Sequence, residues 1–203
     1  MTTPLVVFVM ILLLPLFMAS WRTSLLGLAG QGLLMASMVY DRAPGLGLDD
    51  GAALIDLGLL RGLVVPIVLY RVLRTRGVPR RNDVIPPNLL SWAAVLVLVL
   101  LAFRFAAALP MPARERPFVA VATVALLLGF FVLATQVGVF SQMVAVFRIE
   151  NAIAMFTLGM PAEHDGWWIR GVEIAVLAVT LALFRWYLLA LTPPAPAPSE
   201  EAA

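Results

Sequence analysis

The sequence has no cysteine, no lysine and a single histidine, His164. The lack of cysteine excludes disulfides, iron–sulfur ligation and thiol chemistry, and one imidazole excludes a zinc or haem site built from several histidines. Charge is also scarce, since charged residues make up 13% of the chain, whereas a soluble domain has roughly 25%. All 14 basic residues are arginines, and they form no patch that predicts nucleic-acid binding.

Apolar residues make up 62% of the chain, and the mean hydropathy is +0.98. A membrane-spanning helix needs ~20 mostly apolar residues, so 203 residues hold about seven such helices and leave no room for a sizeable soluble domain. We therefore predict an all-α integral membrane protein. The start of the chain lacks the positive region of a signal peptide, so we expect the first apolar run to remain as a helix.

Seven apolar segments are predicted helices, because only a helix satisfies its own backbone amides within lipid in so few residues. The break near 138–141 is the least marked, but one helix of ~40 residues would be about 60 Å long, twice a bilayer core. The predicted helices are 4–20, 23–40, 52–73, 88–109, 117–138, 140–160 and 167–190.

The segments group into a three-helix unit with a basic loop (1–84), a connector helix with an outer loop (85–116) and a second three-helix unit (117–191). The two units are a candidate parallel repeat. A Pro/Ala-rich tail (192–203) is expected to be disordered.

Arginines in the loops predict the orientation. The loop after the third helix contains five arginines against the single Asp83, so we expect it to be cytoplasmic, with the N-terminus outside and the C-terminus inside. The arginines are Arg71, Arg74, Arg76, Arg80 and Arg81. Two aromatic pairs support this orientation. Trp167-Trp168 would lie at the outer interface and Trp186-Tyr187 at the inner one, because they are ~19 residues apart, or ~28 Å of helix, which matches one hydrocarbon thickness.

Glu150 lies near the middle of the sixth segment, where a charge costs several kcal/mol in lipid. It shares a helical stripe with Met143 and Thr157, which we expect to face protein or trapped water. Burial favours the protonated carboxyl and a nearby arginine favours the ionised one, so Glu150 is a candidate proton-titrating site. The alternative is a structural ion pair with an arginine of another helix. Arg148 is a poor partner, since residues two apart on a helix point in different directions.

Glu173 is the second candidate, inside the hydrocarbon region but nearer its outer side. It shares a face with Thr180, and Arg170, three residues earlier, could pair with it on the helix surface.

Asp56 and Arg61 enter the third segment five residues apart, a spacing that does not share a face of an α-helix. We expect Asp56 to reach the outer interface and Arg61 to need a partner from another helix. Gly58 and Gly62 would let a neighbouring helix approach closely, and Pro66 predicts a kink.

The remaining polar residues have simpler interpretations. Gln31, between two glycines, predicts an interhelical hydrogen bond, Arg104 and Arg185 lie near helix ends, and His164 lies in a solvated loop. Gly45-Leu46-Gly47 predicts a turn and not a nucleotide-binding loop. No catalytic constellation and no metal-ligand or cofactor motif is present in the sequence, so the chain is not expected to be an enzyme on its own.

The two glutamates carry a resemblance. The stretch 117–190 resembles the K subunit of bacterial respiratory complex I and its relative in multisubunit cation/proton antiporters, with Glu150 in Arg148-Ile149-Glu150-Asn151 and Glu173 in Val172-Glu173-Ile174 matching that family's buried glutamates. The whole chain is similar to the E membrane subunit of hydrogenase 4 and of related formate hydrogenlyase-type complexes.

The resemblance implies a non-redox subunit in the membrane arm of an energy-converting oxidoreductase complex in a bacterial inner membrane. Its partners would be antiporter-like and hydrogenase-like membrane subunits, and the redox centres would lie on other chains. The implied proton-path residues are Glu150, Glu173, Asp56, Arg61 and Arg148. Two alternatives stay open, a purely structural assembly subunit and a self-contained small transporter or channel.

Overall fold

The computed structural model describes residues 2–18, 20–42, 47–76, 89–159 and 167–191, and within these ranges the chain is helical and contains no strand. The fold is therefore all-α, as predicted. The helices are α1 (Thr2–Phe17), α2 (Trp21–Arg42), α3 (Leu48–Leu54), a π-helical segment (Ile55–Val64), α4 (Val65–Arg76), α5 (Leu89–Ala108), α6 (Arg116–Thr135), α7 (Val139–Gly159) and α8 (Trp167–Leu191).

Six of the described helical stretches are long and apolar enough to cross a membrane, which makes this a multi-pass membrane protein. The third of them is continuous from α3 through the π-helical segment into α4. All seven predicted segments fall on helices, with ends that differ by at most a few residues. The helix α1 is shorter, at 16 residues.

The predicted break near 138–141 is confirmed, and it lies slightly earlier. The helix α6 ends at Thr135, and Gln136 is extended with φ −98° and ψ 132°. The new helix begins at Val139. The side-chain Nε2 of Gln142 donates to the Gln136 backbone carbonyl at 3.1 Å. This bond ties the first turn of α7 to the chain reversal.

The side chains pack into two main apolar cores. The larger core joins α1, α2, α3, α5, α6 and α7, and includes Phe8, Met35 and Met155. The second joins α2, α4, α7 and α8, and includes Leu28, Leu69 and Phe147. The outer faces of α5 and α8 are mostly exposed and apolar.

Arg42 joins three helices at one end of the bundle. Its guanidinium donates to the Leu158 carbonyl at the end of α7 and lies 3.7 Å from the centre of the Phe118 ring at the start of α6. The end of α2, the start of α6 and the end of α7 therefore lie at the same end, as alternating helices require.

Several sequence predictions fall outside the described residues. They concern the turn at 43–46, most of the basic loop (77–88, with Arg80, Arg81 and Asp83), the loop with His164 (160–166), the side chain of Trp167 and the tail (192–203).

Candidate functional site

Polar side chains lie at the middle of three helices. Gln31 is the eleventh of the 22 residues of α2, Arg61 the fourteenth of the 28 in Leu48–Thr75, and Glu150 the twelfth of the 21 in α7. Along α2 and the third spanning helix these positions lie between buried residues of the larger apolar core and buried residues of the second. These three residues, their bonded partners Asp56, Asn151 and Thr180 and the bonded pair Arg148 and Ser24 form what we call the polar cluster.

Asp56 and Arg61 form an ion pair within one helix. The Arg61 Nε donates to Asp56 Oδ1 at 3.3 Å and to Oδ2 at 3.2 Å, and the two side chains are 1% and 3% exposed. Two predictions were wrong here, since these residues do share a face and Asp56 is buried in the protein rather than reaching an interface.

The π-helical segment explains this correction. In an α-helix residues five apart are turned about 140° from each other, but a π-helix bonds each N–H to the carbonyl five residues earlier. The Val65 N–H bonds to the Leu60 carbonyl in this way at the end of the segment. Asp56 and Arg61 are therefore stacked one turn apart. The segment ends two residues before Pro66, where the sequence predicts a kink.

Glu150 lies between the third spanning helix and α8. Its Oε2 is 3.9 Å from Arg61 Nη1, and its Oε1 accepts a hydrogen bond from Thr180 Oγ1 at 3.2 Å. Its side chain is 14% exposed, so it is enclosed mainly by protein, as expected from the stripe that it shares with Met143 and Thr157. Arg61 thus has the predicted partner on another helix, Glu150, and also a carboxylate on its own helix, Asp56, that was not predicted.

Two further hydrogen bonds join α7 to α2. Arg148 Nη2 donates to Ser24 Oγ at 3.1 Å, so Arg148 points away from Glu150, as predicted. Asn151 Nδ2 donates to Gln31 Oε1 at 3.2 Å, which confirms the interhelical bond predicted for Gln31. Both pairs are buried.

The helix α2 crosses the π-helical segment at very close range. A Cβ on Gly32 would lie 2.5 Å from the backbone nitrogen of Gly62 and 2.7 Å from the Leu57 carbonyl oxygen, and one on Gly58 would lie 3.2 Å from the Ala36 Cβ. The predicted close approach at Gly58 and Gly62 is confirmed. It holds Gln31 and Arg61, the residues beside this crossing, in fixed positions.

Glu173 is half-buried on α8. It precedes Thr180 by seven residues, two helical turns or about 10.5 Å, on the same face as the residue that contacts Glu150. Glu173 is thus near the polar cluster but does not form one of the bonds described above. Arg104 and Arg185 are exposed.

Buried polar groups also lie at the other end of α7. Gln136 and Ser141 are each 2% exposed, and they lie about four turns and two and a half turns before Glu150 along the chain. Within the described part of the chain, Gln31 Nε2, Gln136 Nε2 and Ser141 Oγ have no hydrogen-bond partner. Such donors and acceptors are groups that internal water satisfies.

The chemistry available is that of carboxylates beside a guanidinium, hydroxyls and amides. These groups can hold and exchange protons. No cluster of three or more metal-binding side chains occurs among the residues that the structure describes.

Sequence reasoning missed Ser24 as the partner of Arg148, Asn151 as the partner of Gln31 and Thr180 as the partner of Glu150. Asn151 and Thr180 are polar residues within apolar segments, and this alone could have marked them as candidates. Their partners could not be read from the sequence, because the bonded residues are 124, 120 and 30 positions apart.

Comparison of the chain with models of protein families, with curated proteins and with solved structures gives no match.

Proposed function

We propose that this chain is a non-redox subunit of the membrane arm of an energy-converting, complex I-like or hydrogenase assembly, in which it contributes buried carboxylates to a proton path. In this proposal α1 is a seventh spanning helix, the N-terminus lies outside, the C-terminus is cytoplasmic and the membrane is a bacterial inner membrane. The redox centres belong to other chains.

The observation that supports the proposal is the position of Glu150. Its carboxylate lies at mid-helix between Arg61 at 3.9 Å and Thr180 at 3.2 Å. The carboxylate therefore has a cation on one side and a hydroxyl on the other, and most of it is enclosed by protein. A carboxyl group in such a place can take part in proton transfer.

Neighbouring groups offer a way for a proton to move. Asp56 is a second carboxylate on Arg61, and Glu173 lies two turns from Thr180. Gln136 and Ser141 lie near the start of α7 and Gln31 at the middle of α2, and each has a buried polar atom without a hydrogen-bond partner in the described part of the chain. Hydroxyls, amides and water relay protons where charged residues alone are too far apart.

The exposed apolar faces of α5 and α8 leave room for partners. Of the best 18-residue window, 17% is buried in α5 and 11% in α8, so both helices can contact lipid or other subunits. The proposed partners are the antiporter-like and hydrogenase-like subunits that the sequence resemblance implies.

Glu150→Gln tests the proposal in the assembled complex. Glutamine keeps an oxygen that can accept from Thr180 but cannot ionise, so we expect normal assembly and at least a tenfold loss of coupled proton movement. Proton uptake into inverted membrane vesicles measures this. Glu115→Gln is the matched control, since Glu115 precedes α6 outside the spanning helices, and it is expected to behave as the parent.

A structural role is the second candidate, and the Asp56–Arg61 pair favours it. Both of its charges lie on one helix, 3.2 Å apart and buried, as in a structural ion pair. If Glu150→Gln assembles and moves protons normally, the proton-path proposal is wrong and the structural role stands. Proton or ion transport by the purified chain alone in liposomes would instead support a self-contained transporter.

A further inference from the structure

An apolar groove runs along the surface between the start of α2 and the third spanning helix. Its volume is about 520 Å³, within the ~300–1,000 Å³ of typical ligand pockets. Its lining is apolar except at one end, where a guanidinium and a phenol lie. The lining includes Arg22, Leu26, Ala29, Leu63, Ile67 and Tyr70.

The polar end of the groove is positively charged. Arg22 lies in the first turn of α2 and is exposed. Tyr70 lines the opposite wall, and Arg74 follows it by four residues on the same face of α4, one turn further out. Within the described part of the chain neither Arg22 nor Arg74 forms an ion pair, so both guanidinium groups are available to an anion.

The two ends of the groove suit different chemistry. A peptide or a polar metabolite would leave hydrogen-bonding groups unsatisfied against Leu26, Leu63 and Ile67, which is costly. A hydrocarbon chain loses nothing there. At the mouth, arginine binds phosphate oxygens through two parallel N–H bonds.

We propose that this groove binds an anionic phospholipid, with one acyl chain along the apolar walls and the phosphate on Arg22 and Arg74. Basic residues that flank spanning helices recognise anionic headgroups, each strengthening binding by about fivefold. The inference is independent of the proton-path proposal, since it shares no residue with the polar cluster.

The test is lipid titration of the delipidated full chain in detergent, followed by native mass spectrometry. The probes are dioleoyl phosphatidylglycerol and dioleoyl phosphatidylcholine, which share acyl chains and differ in net charge. We expect the parent to bind phosphatidylglycerol at least tenfold more tightly. Arg22→Gln and Arg74→Gln should each weaken that binding about fivefold and leave phosphatidylcholine binding unchanged.

Two further variants locate the lipid. Arg104→Gln removes an exposed arginine of α5, toward the opposite end of the bundle, and should keep the full preference. Ala29→Phe fills the groove and should weaken the binding of both lipids. Equal binding of the two lipids by the parent, an equal loss in Arg104→Gln, or unchanged binding in Ala29→Phe would each overturn the proposal, as would a partner helix found in the groove of the assembled complex.

Discussion

At the scale of single residues, the charge inside the bundle is balanced locally. Arg61 has Asp56 on its own helix and Glu150 on α7. A buried guanidinium without a carboxylate would be an uncompensated charge, and breaking such a pair costs roughly 3–5 kcal/mol. The remaining carboxylate at 3.9 Å lowers that cost without removing it.

Asp56→Asn measures this dependence. Asparagine has the same shape and an oxygen that still accepts from Arg61, but it carries no charge. We expect the free energy of unfolding to fall by about 3 kcal/mol, which is seen as a lower melting temperature of the purified chain in detergent. Asp49→Asn, at an exposed position in the first turn of α3, should cost less than about 1 kcal/mol. Equal effects of the two variants would show that the buried pair contributes no more to the free energy of unfolding than an exposed charge does.

From residue type, the polar side chains that lie inside the bundle could be predicted, but most of their partners could not. Glu150 was expected to face protein, because lipid cannot solvate it, and Gln31 was expected to bond to another helix. Both contact side chains of other helices. The Asp56–Arg61 pair could not be predicted, because it depends on a π-helical segment, and residues five apart do not share a face at the 3.6 residues per turn of an α-helix.

At the scale of elements, hydrophobic runs predict the helices well. A spanning helix must be apolar over its whole length, so each end is marked by proline, glycine or charge. The extended Gln136 lies within a few residues of the predicted break. The π-helical segment inside the third spanning helix has no comparable signal in the sequence, apart from Pro66 just after it.

The crossing of α2 over the π-helical segment depends on the absence of a side chain at Gly32. In Gly32→Ala the new Cβ would meet backbone atoms of Gly62 and Leu57 at 2.5–2.7 Å, which no rotamer change relieves. The helices must separate, and overpacking of this kind costs about 1–3 kcal/mol. We expect a lower melting temperature and weakened Gln31–Asn151 contact.

Gly51→Ala is the matched control on the third spanning helix. A Cβ there meets nothing within 4 Å, and alanine is favoured over glycine in a helix by about 1 kcal/mol. Gly51→Ala should therefore be neutral or stabilising. A Gly32→Ala protein as stable as this control would contradict the close crossing.

At the scale of the whole molecule, the number of spanning helices determines on which side the N-terminus lies. The helix α1 has 16 residues, about 24 Å of helix, which is shorter than the ~30 Å hydrocarbon core. A short helix can still span if the bilayer thins locally or flanking residues reach the interface. Composition predicts a membrane protein here without difficulty, but the packing order of the helices depends on contacts between distant residues, and no local pattern encodes them.

The lack of native cysteine makes the topology directly measurable. Thr3→Cys, Thr75→Cys and Ala113→Cys each place one thiol at an exposed site, in the first turn of α1, at the end of α4 and before α6. In the proposed topology, a membrane-impermeant maleimide added to intact cells labels Thr3→Cys and Ala113→Cys, whereas Thr75→Cys reacts only after permeabilisation. If α1 does not span, position 3 joins position 75 on the cytoplasmic side and only Ala113→Cys is labelled. Labelling of Thr75→Cys in intact cells would show that the orientation is the opposite of the proposed one, with the arginine-rich loop outside.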